Sequence, residues 1–126
     1  MTIKVSKKEK KVEKIKKVII YIRNPDGQKE EIYDTLCELI KLVSEDPRLK
    51  LLGAFMDVES IDFQRSLIKR MHEANRIDGV VCKELSELCY SVKTYLDTVM
   101  MMKKGLLVFV IDANGKLTII EEGEEK

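Results

Sequence analysis

Apolar residues fall along this chain in two alternating patterns. Continuous β-prone runs occur at Val18-Ile19-Ile20-Tyr21-Ile22, at residues 51–56, at Gly79-Val80-Val81-Cys82 and at residues 105–111. Unbroken runs of this kind suit strands buried on both faces. Between them apolar positions recur at helical spacing: Ile32, Leu36, Leu39, Ile40 and Val43, then Phe63, Leu67, Ile68 and Met71, then Leu85, Leu88, Val92, Leu96 and Val99. Each series predicts a helix with one buried face. The turn-rich Arg23-Asn24-Pro25-Asp26-Gly27 closes the first strand, and Asp46-Pro47 stops the first helix. Asn114-Gly115 predicts a type I′ hairpin into residues 117–120, because both residues tolerate positive φ.

The order β-α-β-α-β-α-β-β specifies an α/β fold: a three-layer open sheet, mostly parallel, with a C-terminal antiparallel edge hairpin. Residues 1–17 read as a basic arm, 18–122 as the α/β domain and 123–126 as an acidic tail. In open α/β sheets, ligands bind beyond the carboxyl ends of the strands. Residues 23–27, 57–60 and 83–90 should therefore surround one crevice. None of these loops is a glycine-rich phosphate cradle, which excludes Rossmann and P-loop chemistry.

Charge changes the picture at one end. The net charge of the 126 residues is +1, but residues 1–17 carry eight Lys and two Glu, leaving −5 on the rest. The folded body is not a basic nucleic-acid binder by composition. Any DNA contact is expected through Lys7, Lys8, Lys10, Lys11, Lys14, Lys16 and Lys17. No apolar run approaches the roughly 20 residues that span a bilayer. The start lacks the apolar stretch of a secretory signal, so a cytoplasmic location is expected. Cys37, Cys82 and Cys89 form no CxxC pair and read as reduced core thiols.

The three loops, in their order, resemble the catalytic domain of serine recombinases, the resolvase/invertase family. Tyr21-Ile22-Arg23-Asn24-Pro25-Asp26 is similar to that family's Tyr-x-Arg-Val-Ser-Thr motif. Gly53-Ala54-Phe55-Met56-Asp57-Val58-Glu59-Ser60 resembles its Asp followed by a Ser-Gly pair, with Arg65 near the next expected arginine. Lys83-Glu84-Leu85-Ser86-Glu87-Leu88-Cys89-Tyr90-Ser91 resembles Lys-x-Leu-Asp-Arg-Leu-Gly-Arg-Asp. The match runs over roughly residues 18–115, on several weak motifs in correct sequence.

The resemblance implies a resolvase-like fold with a degenerate site. The position of the family's nucleophilic serine is Pro25, which has no attacking atom. Arg23, Asp57, Ser60, Arg65 and Lys83 match phosphate-pocket positions. Ser86 replaces an aspartate, and Glu87 and Tyr90 replace paired arginines. Phosphoryl transfer depends on fixed positive charge about the transferred group. Exchanging Arg for Glu reverses that charge, so the resemblance implies a pseudoenzyme rather than a working recombinase. Glu87 is expected to pair with Arg23 or Arg65 and close the vestigial pocket. The family's long dimer helix and helix-turn-helix domain are not expected in the 126 residues.

Other residues have plainer readings. Asp57 and Asp112 at strand ends lack a third acidic partner, so no metal is expected, and nothing suggests a cofactor or small-molecule substrate. His72 stands alone, and Cys89 reads as a small packing residue. Met100, Met101 and Met102 are apolar surplus at a helix end and mark a candidate surface for a protein partner or self-association. The leading expectation is a non-enzymatic protein-interaction or regulatory module linked to DNA recombination or a mobile element. A nucleic-acid accessory protein using the Lys-rich arm comes second, and a residual recombinase third.

Overall fold

The computed structural model describes residues 14–24, 29–58 and 63–120. Its elements are β1 (Lys16–Asn24), α1 (Lys29–Ser44), β2 (Leu49–Val58), α2 (Phe63–Glu73), β3 (Gly79–Val81), a 3-10 turn (Leu85–Glu87), α3 (Val92–Lys103), β4 (Leu107–Ile111) and β5 (Leu117–Ile119). The sheet order is β2-β1-β3-β4-β5, parallel except for the last pair. The expected α/β architecture with its antiparallel edge hairpin is present.

β1 is an interior strand, between β2 and β3, and residues 18–22 are all buried, as their unbroken apolar run requires. Alternate residues feed two cores. Val18, Ile20 and Ile22 join Leu39 and Val43 of α1 on one face. Ile19 and Tyr21 join Ile68 of α2, Leu88 and Met101 on the other. Gly79 lets β3 approach β4, because a Cβ there would lie 2.8 Å from the Leu107 carbonyl oxygen.

The β1–β2 register contains a bulge. Val18 lies opposite Leu51, but Ile19 lies opposite Gly53. The extra residue, Leu52, reverses the facing of everything beyond it. Phe55 and Asp57 thereby share the side of Tyr21, and Met56 shares that of Ile22.

Several expectations need correction. β1 begins two residues early, so Lys16 and Lys17 are sheet residues. The Lys17 N–H donates to Asp78 Oδ2 at 2.8 Å, and its carbonyl accepts from the Asp78 N–H at 2.7 Å. Ile40 is exposed, because α1 buries the 39/43 line and half-buries Ile32 and Leu36. The hairpin is not type I′, since only Gly115 has positive φ. Asp112 Oδ1 accepts from the N–H groups of Asn114 and Lys116, and the Gly115 N–H closes back to the Asp112 carbonyl. The result is a type I turn with glycine in the left-handed position after it. Cys37 is exposed on α1 rather than in the core.

The largest departure is α3. The stripe from Leu85 to Val99 is not one helix. After the 3-10 turn the chain is extended at Ser91, whose hydroxyl accepts from the Thr94 N–H while Thr94 Oγ1 accepts from the Ser91 N–H. This reciprocal cap starts a new helix in a new direction. Thr94, Thr98 and Met101 face inward, whereas Val92, Tyr95, Leu96 and Met100 face out, with Val92 76% exposed. Among the described residues no helix is long and apolar enough to cross a membrane.

Candidate functional site: the crevice at the carboxyl ends of β1 and β3

The strand order reverses direction between β1 and β3, where open α/β sheets carry their crevice. A cleft of about 490 Å³ lies there, lined by Ile22, Arg23 and Asn24 from β1, Glu31, Ile32, Asp34 and Thr35 from α1, and Lys83, Glu84 and Glu87 after β3. Among its described lining residues, Arg23 and Lys83 face four acidic side chains across it. A site selected for a phosphodiester would have the opposite balance.

Arg23 stacks on Tyr90, with its guanidinium carbon 3.6 Å from the ring centroid. The stack is a cation–π contact that orients the guanidinium. Tyr90 thus cradles Arg23. Glu87 behaves differently from expectation. Glu87 forms no ion pair with Arg23 or Arg65 among the described residues. Its Oε1 accepts from the Lys83 N–H at 3.4 Å. Burial pushes its carboxyl up to about 7, and the nearby Glu84 pushes the same way against the Lys83 N–H and charge. The pairing fails because Arg65 is already committed elsewhere and Arg23 lies against Tyr90.

Arg65 is 4% exposed and is not in the crevice. Its Nε donates to the Leu88 carbonyl at 3.1 Å, and Nη2 to the Thr94 carbonyl at 3.0 Å and Thr98 Oγ1 at 2.6 Å. Thr98 Oγ1 in turn donates to the Thr94 carbonyl at 2.8 Å. A buried guanidinium must find acceptors, and these lie on the 3-10 turn's end and on the polar side of α3. Arg65 is therefore a staple from α2 to α3.

Asp57 is buried at the end of β2 and caps α2. Its Oδ2 accepts from the Tyr21 hydroxyl at 2.7 Å and the Arg65 N–H at 2.9 Å, and Oδ1 from the Gln64 N–H at 2.9 Å. A carboxylate on the first N–H groups of a helix satisfies orphan donors and complements the helix dipole. Burial, then the bond to Asp57, pushes the Tyr21 phenol up. Both Asp57 oxygens are thus engaged within the fold, and Asp112 serves its own turn. Ser86 is exposed, and its hydroxyl meets Glu84 Oε1 at 3.3 Å.

The crevice thus unites Arg23, Lys83 and Glu87, with Tyr90 stacked on Arg23. Arg65 lies apart in the core, and Asp57, the register partner of Arg23, is joined to it through the Tyr21 side chain. Pro25, Ser60, Lys7, Lys8, Lys10 and Lys11 lie outside the described residues. Lys14 is exposed, while Lys16 and Lys17 are half-buried in β1. Met101 is buried in the core and Met102 packs against it, leaving only Met100 of the expected partner surface exposed. Thr94, Thr98, Glu31 and Asp34 carry no signal in the sequence, and Tyr21 enters there only as a strand and motif residue. A tyrosine inside a buried strand was the available signal, since a buried hydroxyl needs a partner.

Two solved structures are similar. One is the C-terminal catalytic domain of ISC1926 TnpA, an IS607-like serine recombinase, at 17% identity and TM-score 0.64, over 76% of this chain and 70% of that one. The other is a resolvase family site-specific recombinase from Streptococcus pneumoniae, at 17% identity and TM-score 0.63, over 83% and 76%. The fold is that of a resolvase catalytic domain. No protein-family model matches the chain, and no curated protein does. At this identity the likeness concerns architecture and leaves the chemistry to the residues themselves.

Proposed function

We propose that this resolvase-fold domain is a non-enzymatic protein-interaction or regulatory module, connected with DNA recombination or a mobile element. The observation that carries this reading is the crevice, where Glu31, Asp34, Glu84 and Glu87 outnumber Arg23 and Lys83. A phosphodiester entering it meets net negative charge, and Pro25 offers no nucleophile. The outward apolar face of α3 supplies surface for a protein contact instead.

The test is incubation with supercoiled and nicked duplex DNA, followed by denaturing electrophoresis. No covalent protein–DNA adduct and no change in topology are expected. An adduct that survives denaturation overturns the proposal.

A second reading is favoured by the +6 charge of residues 1–17. Lys-rich segments neutralise DNA phosphates, and log K falls with log salt at about −0.9 per contact on duplex DNA. Because Lys16 and Lys17 belong to β1, truncation at residue 18 would damage the fold. Replacing Lys7, Lys8, Lys10 and Lys11 by Gln in the full chain is the cleaner comparison. If binding and its salt slope do not change, this reading fails.

A further inference from the structure

The two edges of the sheet are unequal. β5 is three residues long, whereas β2 is ten and, among the described residues, has β1 as its sole neighbour in the sheet. Along its outer side, backbone groups that would enter a ladder face outward. Proteins usually blunt such an edge with charge, proline, a bulge or a covering segment. β2 reads LKLLGAFMDV; Lys50 and the Leu52 bulge fall in its first half, it has no proline, and Leu52 and Met56 are exposed. α1, which packs over both β1 and β2, exposes Tyr33, Cys37 and Ile40. Spacings of four and three put these on one stripe. Tyr33 and Met56 line a shared groove of about 330 Å³ with Lys29 and Ile32.

We propose that β2 pairs antiparallel with β2 of a second copy, joining two sheets into one, with the two α1 helices side by side across the seam. The inference does not depend on what α3 binds.

Three features select a second copy over another strand. First, both elements are self-complementary. A two-fold axis at Ala54 sets Leu52 opposite Met56 of the other copy, and an axis half a residue before Cys37 sets Tyr33 opposite Ile40. Second, one axis serves both. Tyr33 and Met56 are at one level in the groove. From there Cys37 is four helical residues down, about 6 Å. Ala54 is two strand residues down, about 7 Å. Third, the spacing fits. With α1 over the β1–β2 junction, the two helix axes stand about two strand spacings apart, roughly 10 Å. That is the distance at which helices pack. Running antiparallel, the Glu30–Asp34 end of one helix meets Lys41 in the last turn of the other.

Sedimentation of the full chain tests this. The wild type is expected to sediment at twice its 14.6 kDa mass. Leu52→Lys/Met56→Lys, at two exposed positions, is expected to weaken association about tenfold or more by setting lysines opposite each other across the axis. Val92→Lys/Leu96→Lys is expected to leave the dimer intact. A short bismaleimide is expected to join wild-type chains through Cys37, and Cys37→Ser to abolish the product. A wild type that stays monomeric to about 100 µM overturns the proposal. So does a dimer that dissociates on the α3 substitutions but not on those in β2, or the lack of any Cys37-linked dimer. None of these outcomes bears on catalysis, so the proposal and the functional reading fail separately.

Discussion

α1 and α3 cover opposite faces of one sheet by different physics. α1 follows its hydrophobic pattern: Leu39 and Val43 go in, and acidic residues occupy its first turn with Lys41 in its last. α3 inverts the pattern, burying Thr94 and Thr98 while Val92, Tyr95, Leu96 and Met100 meet solvent. Nothing in the period of α3 demands this, since residues 94 and 98 are as well spaced as 92 and 96. The difference is Arg65. A guanidinium brought into the interior needs acceptors there, and the polar line of α3 supplies a carbonyl and a hydroxyl. Orientation of a helix is thus set by its most demanding neighbour, whose unsatisfied donors would cost more than an exposed valine gains by burial.

The comparison breaks most sharply under apolar truncation. Leu39→Ala in α1 is expected to destabilise by about 3 kcal/mol, the usual cost of emptying a packed leucine site. Leu96→Ala in α3 is expected to cost less than about 0.5 kcal/mol. Urea unfolding of the two variants checks both. Equal losses would mean that α3 buries the face seen here as exposed.

Removing the staple comes next. Arg65→Lys keeps the charge but cannot reach three acceptors from one ammonium, and is expected to cost about 2 kcal/mol. Thr98→Val removes one acceptor and should cost about 1 kcal/mol alone. In the double variant the two losses should sum to more than the measured total, because both delete the same bond. Strict additivity would show that Arg65 does not hold Thr98 in solution.

What the sequence discloses divides along the same line. The unbroken run at residues 18–22, the Pro47 stop and the helical repeats of α1 and α2 are local signals, and they located the sheet. The facing of α3 depends on a residue 29 positions before Thr94, which no periodicity reports. The bulge at Leu52 is similarly silent, yet it decides that Asp57 lands beside Tyr21 and caps α2. Arg65 matched a family position and so read as a phosphate ligand. Its side chain instead turned toward the carbonyl of Leu88 and toward α3. Glu87 is expected to find an arginine, but Arg23 lies on Tyr90 and Arg65 in the core. Motif order carried the fold, while the site depended on which partners were already taken.

Glu87 sharpens the contrast through pH. Burial raises its carboxyl to about 7 in the folded chain, above its ordinary value of 4.5. The folded state therefore holds a proton that the unfolded state releases between those values, and stability falls as pH rises through that window. Glu87→Gln removes the dependence. It is expected to stabilise by about 1–2 kcal/mol at pH 8, after allowance for partial exposure, and by little at pH 4. Unfolding free energies at the two pH values decide it, and a variant equally stabilised at both would rule out protonation as the cause.

The smallest effect tests the face that α3 leaves open. Val92→Lys/Leu96→Lys adds two charges where the fold buries little, so the unfolding free energy of the monomer is expected to stay within about 0.5 kcal/mol. The helix should be preserved, because Ser91 and Thr94 still cap it and Arg65 still anchors its other side. A loss of 2 kcal/mol or more that grows with protein concentration would mean that the face is covered by another copy. A loss independent of concentration would mean that it is covered from within the chain. Either result would return α3 to the ordinary amphipathic logic of α1, and Arg65 would cease to explain its orientation.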